Sequence, residues 1–248
     1  MSGYGFRDVA RMEWIKLRTL RSTTWVLAAG MCVTVALGVV AGYNTRSVTG
    51  DPTSNMLAGI AFGQVITGVL GVLTMTSEYS SGLIRSTLAA VPRRPLVLWA
   101  KAAVFGAVTM VLGEITAFAS FGLGIAVLRS SVPHPALSDG SVLRAVAMTG
   151  AYLALVGLTG LGIGAIVRHS ATAVALLVGG LFVLPVVAGA AAVGAGKFMP
   201  ELIAGNSLAA VKPVSGFSWS PWLELGITAL YPAVLLAAGG WLLVRRDA

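Results

Sequence analysis

Six runs of apolar residues, each long enough to cross a bilayer, dominate this chain and leave little freedom in what it can become. They fall at about 23–43, 57–75, 96–128, 145–167, 171–193 and 222–244. A bilayer core needs about 20 apolar residues per helical crossing. Lipid offers no hydrogen bonds, so a crossing segment must pair its own backbone groups, and an uninterrupted apolar run does so as an α-helix. Composition agrees: 56% of residues are apolar, 10% are charged, and the mean hydropathy is +0.87. A soluble surface needs about 25% charged residues. The expected fold is all-α: one polytopic transmembrane domain over 1–248 with about six spans.

The polar segments divide that domain. Residues 1–22 read as an amphipathic helix. At 100° per residue Phe6, Val9, Ala10, Trp14, Leu17 and Leu20 fall on one side, and Arg7, Arg11 and Arg18 form a stripe on the other; Glu13 and Lys16 fit neither side well. A basic face opposite an apolar one suits the headgroup layer of an anionic leaflet, with Arg7, Arg11, Trp14 and Arg18 as the membrane-surface residues. Spans one and two occupy 23–76. The first is longer than the apolar core of a secretory signal peptide, so it is expected to be retained. Gly59, Gly63, Thr67 and Gly71 recur along the second, a small-residue stripe for close helix packing. The segment 77–95 is the most polar interior stretch, with Glu78 at its membrane boundary. A short helix fits 80–90, with Leu83, Ile84, Thr87 and Leu88 as an apolar patch, stopped at Pro92. Spans three to five occupy 96–193, the fifth bent near Gly179, Gly180 and Pro185. An external or re-entrant loop occupies 194–221, with an amphipathic stretch around 198–211 that lies at the interface or dips into the membrane, and span six with its tail occupies 222–248.

Twelve of the 17 Lys and Arg residues lie on the side of the two termini and of segment 77–95; Arg46, Arg129, Arg144, Lys197 and Lys212 lie on the other. The excess places both termini in the cytoplasm. The same topology explains the net charge of +8. Long apolar runs separate the basic residues, whereas nucleic-acid binding wants a basic face interleaved with aromatics. Trp25, Trp99, Trp219, Trp222 and Trp241 stand near span ends, as an aromatic belt does. Glu224 and Arg144 are expected to be interfacial anchors.

Catalytic and metal chemistry have little to work with. His134 and His169, the only histidines, fall in loops, and Cys32 has no companions for a metal. The nearest approach to a phosphate-binding Walker loop, Gly196-Lys197-Phe198, lacks the first glycine and the hydroxyl residue. No catalytic residue, metal site or cofactor is expected on this chain. Glu114 stands alone in the middle of the third run, where a charge is costly, and is a candidate for substrate or proton contact.

The run Glu78-Tyr79-Ser80-Ser81-Gly82-Leu83-Ile84-Arg85-Ser86-Thr87-Leu88, then Pro92-Arg93-Arg94 and Lys101, resembles the cytoplasmic loop of ABC-2 type permeases. The start Glu13-Trp14-Ile15-Lys16-Leu17-Arg18-Thr19-Leu20-Arg21-Ser22 is similar to the elbow helix of that family. The resemblance extends over the whole chain in the order and spacing of its parts. It implies the membrane subunit of an ATP-driven exporter in a bacterial cytoplasmic (inner) membrane, working as a homodimer or heterodimer with two ATP-binding subunits. ATP and magnesium would belong to those partners. Residues 79–90 would be the coupling helix seated in the ATPase, with Glu78, Tyr79, Leu83, Ile84, Arg85 and Leu88 as ATPase-coupling residues. Spans one and five would meet the second permease copy, and the re-entrant stretch would cap the exit path. Two alternatives stay open from the residues themselves: an ion-coupled secondary transporter using Glu114, and an anchor or immunity protein without transport.

Overall fold

A computed structural model describes residues 5–19, 21–46, 51–91, 93–191, 199, 205, 209–210 and 219–245. Most of the expected external loop, including Lys197, Pro200, Lys212 and Pro213, lies outside the described residues, as do Leu20, Pro92 and 246–248. Every regular element among the described residues is helical. Six helices are long and apolar enough to cross a membrane. The chain is therefore a polytopic, all-α membrane protein, an architecture consistent with membrane transport.

The helices are α1 (Phe6–Thr19), α2 (Arg21–Asn44), α3 (Pro52–Met56), α4 (Ile60–Ser80), α5 (Leu83–Ala90), α6 (Arg94–Val127), α7 (Gly140–Val167), α8 (Ser170–Val178), α9 (Leu184–Ala191) and α10 (Pro221–Arg245). A π-helical turn, Gly179–Val183, joins α8 to α9 and makes them one span. The π-helical turn falls in the stretch near Gly179, Gly180 and Pro185 where a bend is expected, and inserts a residue where the two glycines leave space around the backbone.

Several ends have local causes. Asp51 caps α3 by accepting from the Thr53 amide at 3.0 Å, and Pro52 follows in the first turn, where its missing N–H is no loss. That short helix lies in what reads from the sequence as a plain polar loop. The helix after span two begins at Leu83 rather than near residue 80, because α4 continues to Ser80 and the chain turns at Gly82. Gly82 has φ 72°, a left-handed conformation that a side chain disfavours. Arg168 ends α7 in the same conformation, φ 62°.

Helix α7 is the hub, packed against α4, α6, α8 and α10. Its apolar window is 61% buried, against 22% for α2 and 22% for the fifth span. Small residues make the α4–α7 contact close: a Cβ added at Gly71 would run into the carbonyl of Gly157, and one at Gly160 into the carbonyl of Gly68. The stripe read along span two divides between two neighbours. Gly59 and Gly63 face Thr34 of α2, while Gly71 faces α7. Gln64 and Tyr152 share a buried hydrogen bond of 2.5 Å across the same α4–α7 seam. Trp25, Trp222 and Trp241 are exposed, as a lipid-facing belt would be. Glu224 differs from the anchor role expected of it: only 4% of it is exposed, because the first turn of α10 turns it into the protein.

At one end of the bundle Arg94 Nη1 donates to the Leu243 carbonyl at 3.1 Å, tying the start of α6 to the end of α10. Helix α1, which packs against α6, and the end of α10 both meet α6. At the opposite end Ser120 Oγ donates to the Met56 carbonyl at 2.6 Å, the Ala210 amide to Asp51 Oδ2 at 2.7 Å, and Arg144 Nη2 to the Ala209 carbonyl at 2.9 Å. Arg144 thus ties the start of α7 to Ala209.

Candidate functional site

At 1.5 Å per residue α6 is about 51 Å long, well over the ~30 Å of a hydrocarbon core. Its first turns therefore have room to meet polar partners beyond the membrane. Lys101 lies there, two turns into α6, and only 2% of it is exposed. Helix α1 packs across this part of α6 and buries Val9 and Glu13, each 1% exposed. Glu78 arrives from the last turn of α4 at 5% exposure. Three ionised groups in a nearly dry place require mutual pairing, since a lone buried charge is far more costly than a pair.

The pairing is complete in charge. Lys101 Nζ donates to Glu78 Oε1 at 2.8 Å and also to Glu13 Oε2. Lys16 Nζ donates to Glu78 Oε1 at 2.9 Å, to Glu13 Oε1 at 3.0 Å and to the Thr87 hydroxyl at 3.2 Å. Two carboxylates meet two ammoniums, and Lys16 uses all three of its N–H donors. Burial works to lower the Lys16 pKa, but the Glu13 and Glu78 carboxylates outweigh it and hold the ammonium above its ordinary value. This one side chain joins the amphipathic helix α1, the end of span α4 and the short helix α5.

Neighbouring contacts extend the arrangement. The Arg168 guanidinium stands 5.0 Å over the Tyr79 ring, so the turn between α7 and α8 touches the end of α4. The Tyr79 hydroxyl is buried without a hydrogen-bond partner. Ser170 Oγ donates to Thr76 Oγ1 at 2.8 Å beside it.

Helix α5 is split by its own periodicity. Ile84 and Thr87 are buried, Leu88 is half-buried, and Leu83 and Arg85 are exposed. The apolar patch read from the sequence is thus divided: Ile84 and Thr87 fasten α5 to the bundle, while Leu83 and Arg85 stay exposed. On α1, Arg7, Arg11, Arg18 and Trp14 are exposed. Glu114 is not part of the cluster. It is half-buried on α6, about 20 Å along the helix axis from Lys101. Its carboxyl group occupies the space that a side chain at Gly150 would take, and its Oε2 is buried without a partner.

The sequence reading names Glu78 and leaves out Glu13, Lys16, Thr87 and Lys101 as a unit. The signal for two of them is present, because Glu13 and Lys16 break the pattern of α1 as an opposite pair three residues apart. Such a pair near an apolar face marks a charge that the fold intends to bury.

A cleft of about 580 Å³ opens beside the cluster, between α1, α2 and α4. Glu13, Lys16, Glu78 and Lys101 line its charged end, and Leu17, Val26, Leu70 and Leu73 its apolar walls. Among the described residues no group of three or more His, Cys, Asp or Glu is arranged to hold a metal. No family model matches the chain, and no curated protein matches it.

Proposed function

We propose that this chain is the membrane-spanning permease subunit of an ATP-driven, ABC-2 type exporter, with both termini in the cytoplasm and ATP hydrolysis on separate subunits. The observation that carries the reading is the bridge made by Lys16. A force applied to α5 from below reaches α1 through Thr87 and Lys16, and reaches α4 and α6 through Glu78 and Lys101. Those are the parts that an elbow helix, a coupling helix and two spans would have to share. The exposed Leu83 and Arg85 are then the contact with the ATPase. The least buried spans, α2 and α8–α9, are the ones expected to meet a second permease copy, which supports a dimer.

The motion follows from the partners. Closure of two ATPase subunits around ATP moves α5, and the ion cluster passes that movement to the spans as a rigid unit. The bundle shifts between inward-facing and outward-facing states only as far as nucleotide favours one of them. A photo-crosslinker in place of Leu83 tests the contact in intact cells. Capture of a soluble protein carrying a Walker loop, lost on Arg85→Glu while the permease stays in the membrane, supports the reading; no such capture overturns it.

One observation favours a second reading. Glu114 places a carboxylate oxygen without a partner halfway along a span. Intramembrane carboxyls of this kind serve proton or cation pathways. An ion-coupled transporter would use Glu114 as its carrier, and its activity would follow an ion gradient without nucleotide.

A further inference from the structure

We infer that the outer face of α6 around Glu114 binds a lipophilic cation taken from the bilayer. The position of Glu114 is the reason. It lies about 20 Å along α6 from Lys101, well inside the ~30 Å of a hydrocarbon core. Its carboxyl group sits in a notch that Gly150 of α7 leaves open: a Cβ added at Gly150 would come within 2.5 Å of Glu114 Oε1. Neither carboxylate oxygen has a hydrogen-bond partner among the described residues. Oε2 is buried, and Oε1 is the atom that reaches the surface. An ionisable group at this depth in lipid is costly unless something pairs with it.

The surrounding side chains supply no partner. The hydroxyls within a turn of Glu114 or Gly150 donate elsewhere: Thr116 to the Leu112 carbonyl at 2.7 Å, Thr149 to the Ala145 carbonyl at 2.9 Å and Tyr152 to Gln64 Oε1 at 2.5 Å. Lys101 belongs to the ion cluster. Arg144, about 9 Å along α7 from Gly150, donates to the Ala209 carbonyl at 2.9 Å. A carboxylate offers acceptors and negative charge only. With neither a donor nor a basic group to answer it, the matching charge comes from outside the chain. An anion finds nothing here to bind, and a neutral molecule leaves the charge unmatched.

The same face fixes the body of the guest. Met110 and Phe118 lie one turn to either side of Glu114, Val111 and Ile115 flank it, and all four are exposed. An aromatic ring attracts positive charge over its face, and a thioether is a soft, polarisable neighbour. None of the four carries a hydrogen-bond donor. A small, strongly hydrated cation would give up its water here for a single carboxylate, whereas a bulky cation with its charge spread among apolar groups has little hydration to lose. The site stands on the geometry around Glu114, whether ATP or an ion gradient drives the chain.

Tetraphenylphosphonium, an apolar cation without N–H groups, is the probe. The full chain in lipid nanodiscs, without nucleotide or ion gradient, is titrated with the tritiated probe, and uptake by empty nanodiscs is subtracted. Saturable binding of one probe per chain is expected, weakened roughly tenfold or more by Glu114→Gln at an unchanged unfolding temperature. No saturable binding to the native chain overturns the inference, since a carboxyl that only holds its own proton behaves in that way. Equal binding by Glu114→Gln also overturns it. Val111→Trp keeps the carboxyl and covers it from the lipid side; it abolishes binding if the location is right, and full retention by this variant, folded as the native chain is, overturns the location. Tetraphenylborate has the same shape and the opposite charge, and is expected not to bind. Binding as tight as that of the cation overturns the recognition of charge.

Discussion

Lys101 Nζ on α6 lies 2.8 Å from Glu78 Oε1 on α4, with both side chains almost wholly inside the protein. Glu13 and Lys16 of α1 complete the pairing, so four ionised groups from three helices share a dry site with no net charge. Such a site holds α4 and α6 to one relative position, because either of them moving away leaves an unmatched charge behind, whereas α1 would carry its own Glu13–Lys16 pair with it.

Removing Lys101 leaves two buried carboxylates with one ammonium. Lys101→Ala is expected to destabilise the protein by about 3–5 kcal/mol. Lys16→Ala does less, since 22% of that side chain already reaches solvent. Thermal unfolding in one detergent ranks the two variants. Glu78→Gln added to Lys101→Ala recovers part of the loss, because it removes a carboxylate that has lost its counter-ion.

The hold on α1 is sensitive to alkali. The Lys16 pKa is raised above its ordinary 10.5, so its contribution is full below 10.5 and is lost as pH climbs through the raised value. A spin label at Arg11→Cys, on a Cys32→Ala background, keeps its mobility up to that pH and gains mobility above it. Release at neutral pH would deny Lys16 this part.

Packing at the hub has its own test. Gly160→Ala drives a methyl group toward the Gly68 carbonyl and is expected to cost about 1–3 kcal/mol. Gly122→Ala on α6 meets nothing within 4 Å and is expected to be neutral or stabilising by up to ~1 kcal/mol. Unfolding temperatures of the two variants separate close packing from helix propensity.

The spans were legible because hydropathy acts residue by residue over twenty positions, and no tertiary partner is needed to read it. Their ends were less so. α4 continues about five residues beyond the apolar run to Ser80, and only the left-handed Gly82 marks where α5 separates from it. The ion cluster was legible in fragments. Glu78 stood out at a membrane boundary, but its partners Lys16 and Lys101 are 62 and 23 residues away, and no local pattern states which charges will meet. Ile84 and Leu83 are adjacent and equally apolar. Only the packing of α5 on the bundle decides that one is buried and the other exposed.

Glu114 separates function from folding. Its carboxyl is half-buried against Gly150, so Glu114→Gln keeps the shape and removes the ionisable group. Transport is expected to change more than stability, which stays within about 0.5 kcal/mol. Unchanged transport would make the residue a packing element.

Purification of the tagged chain from its native membrane in mild detergent, with mass spectrometry of whatever accompanies it, tests the central claim most directly. The account predicts a stoichiometric soluble partner with a Walker loop, lost on Arg85→Glu. Isolation without any ATPase, repeated in lipid nanodiscs, would contradict it and leave the ion-coupled reading through Glu114 in its place.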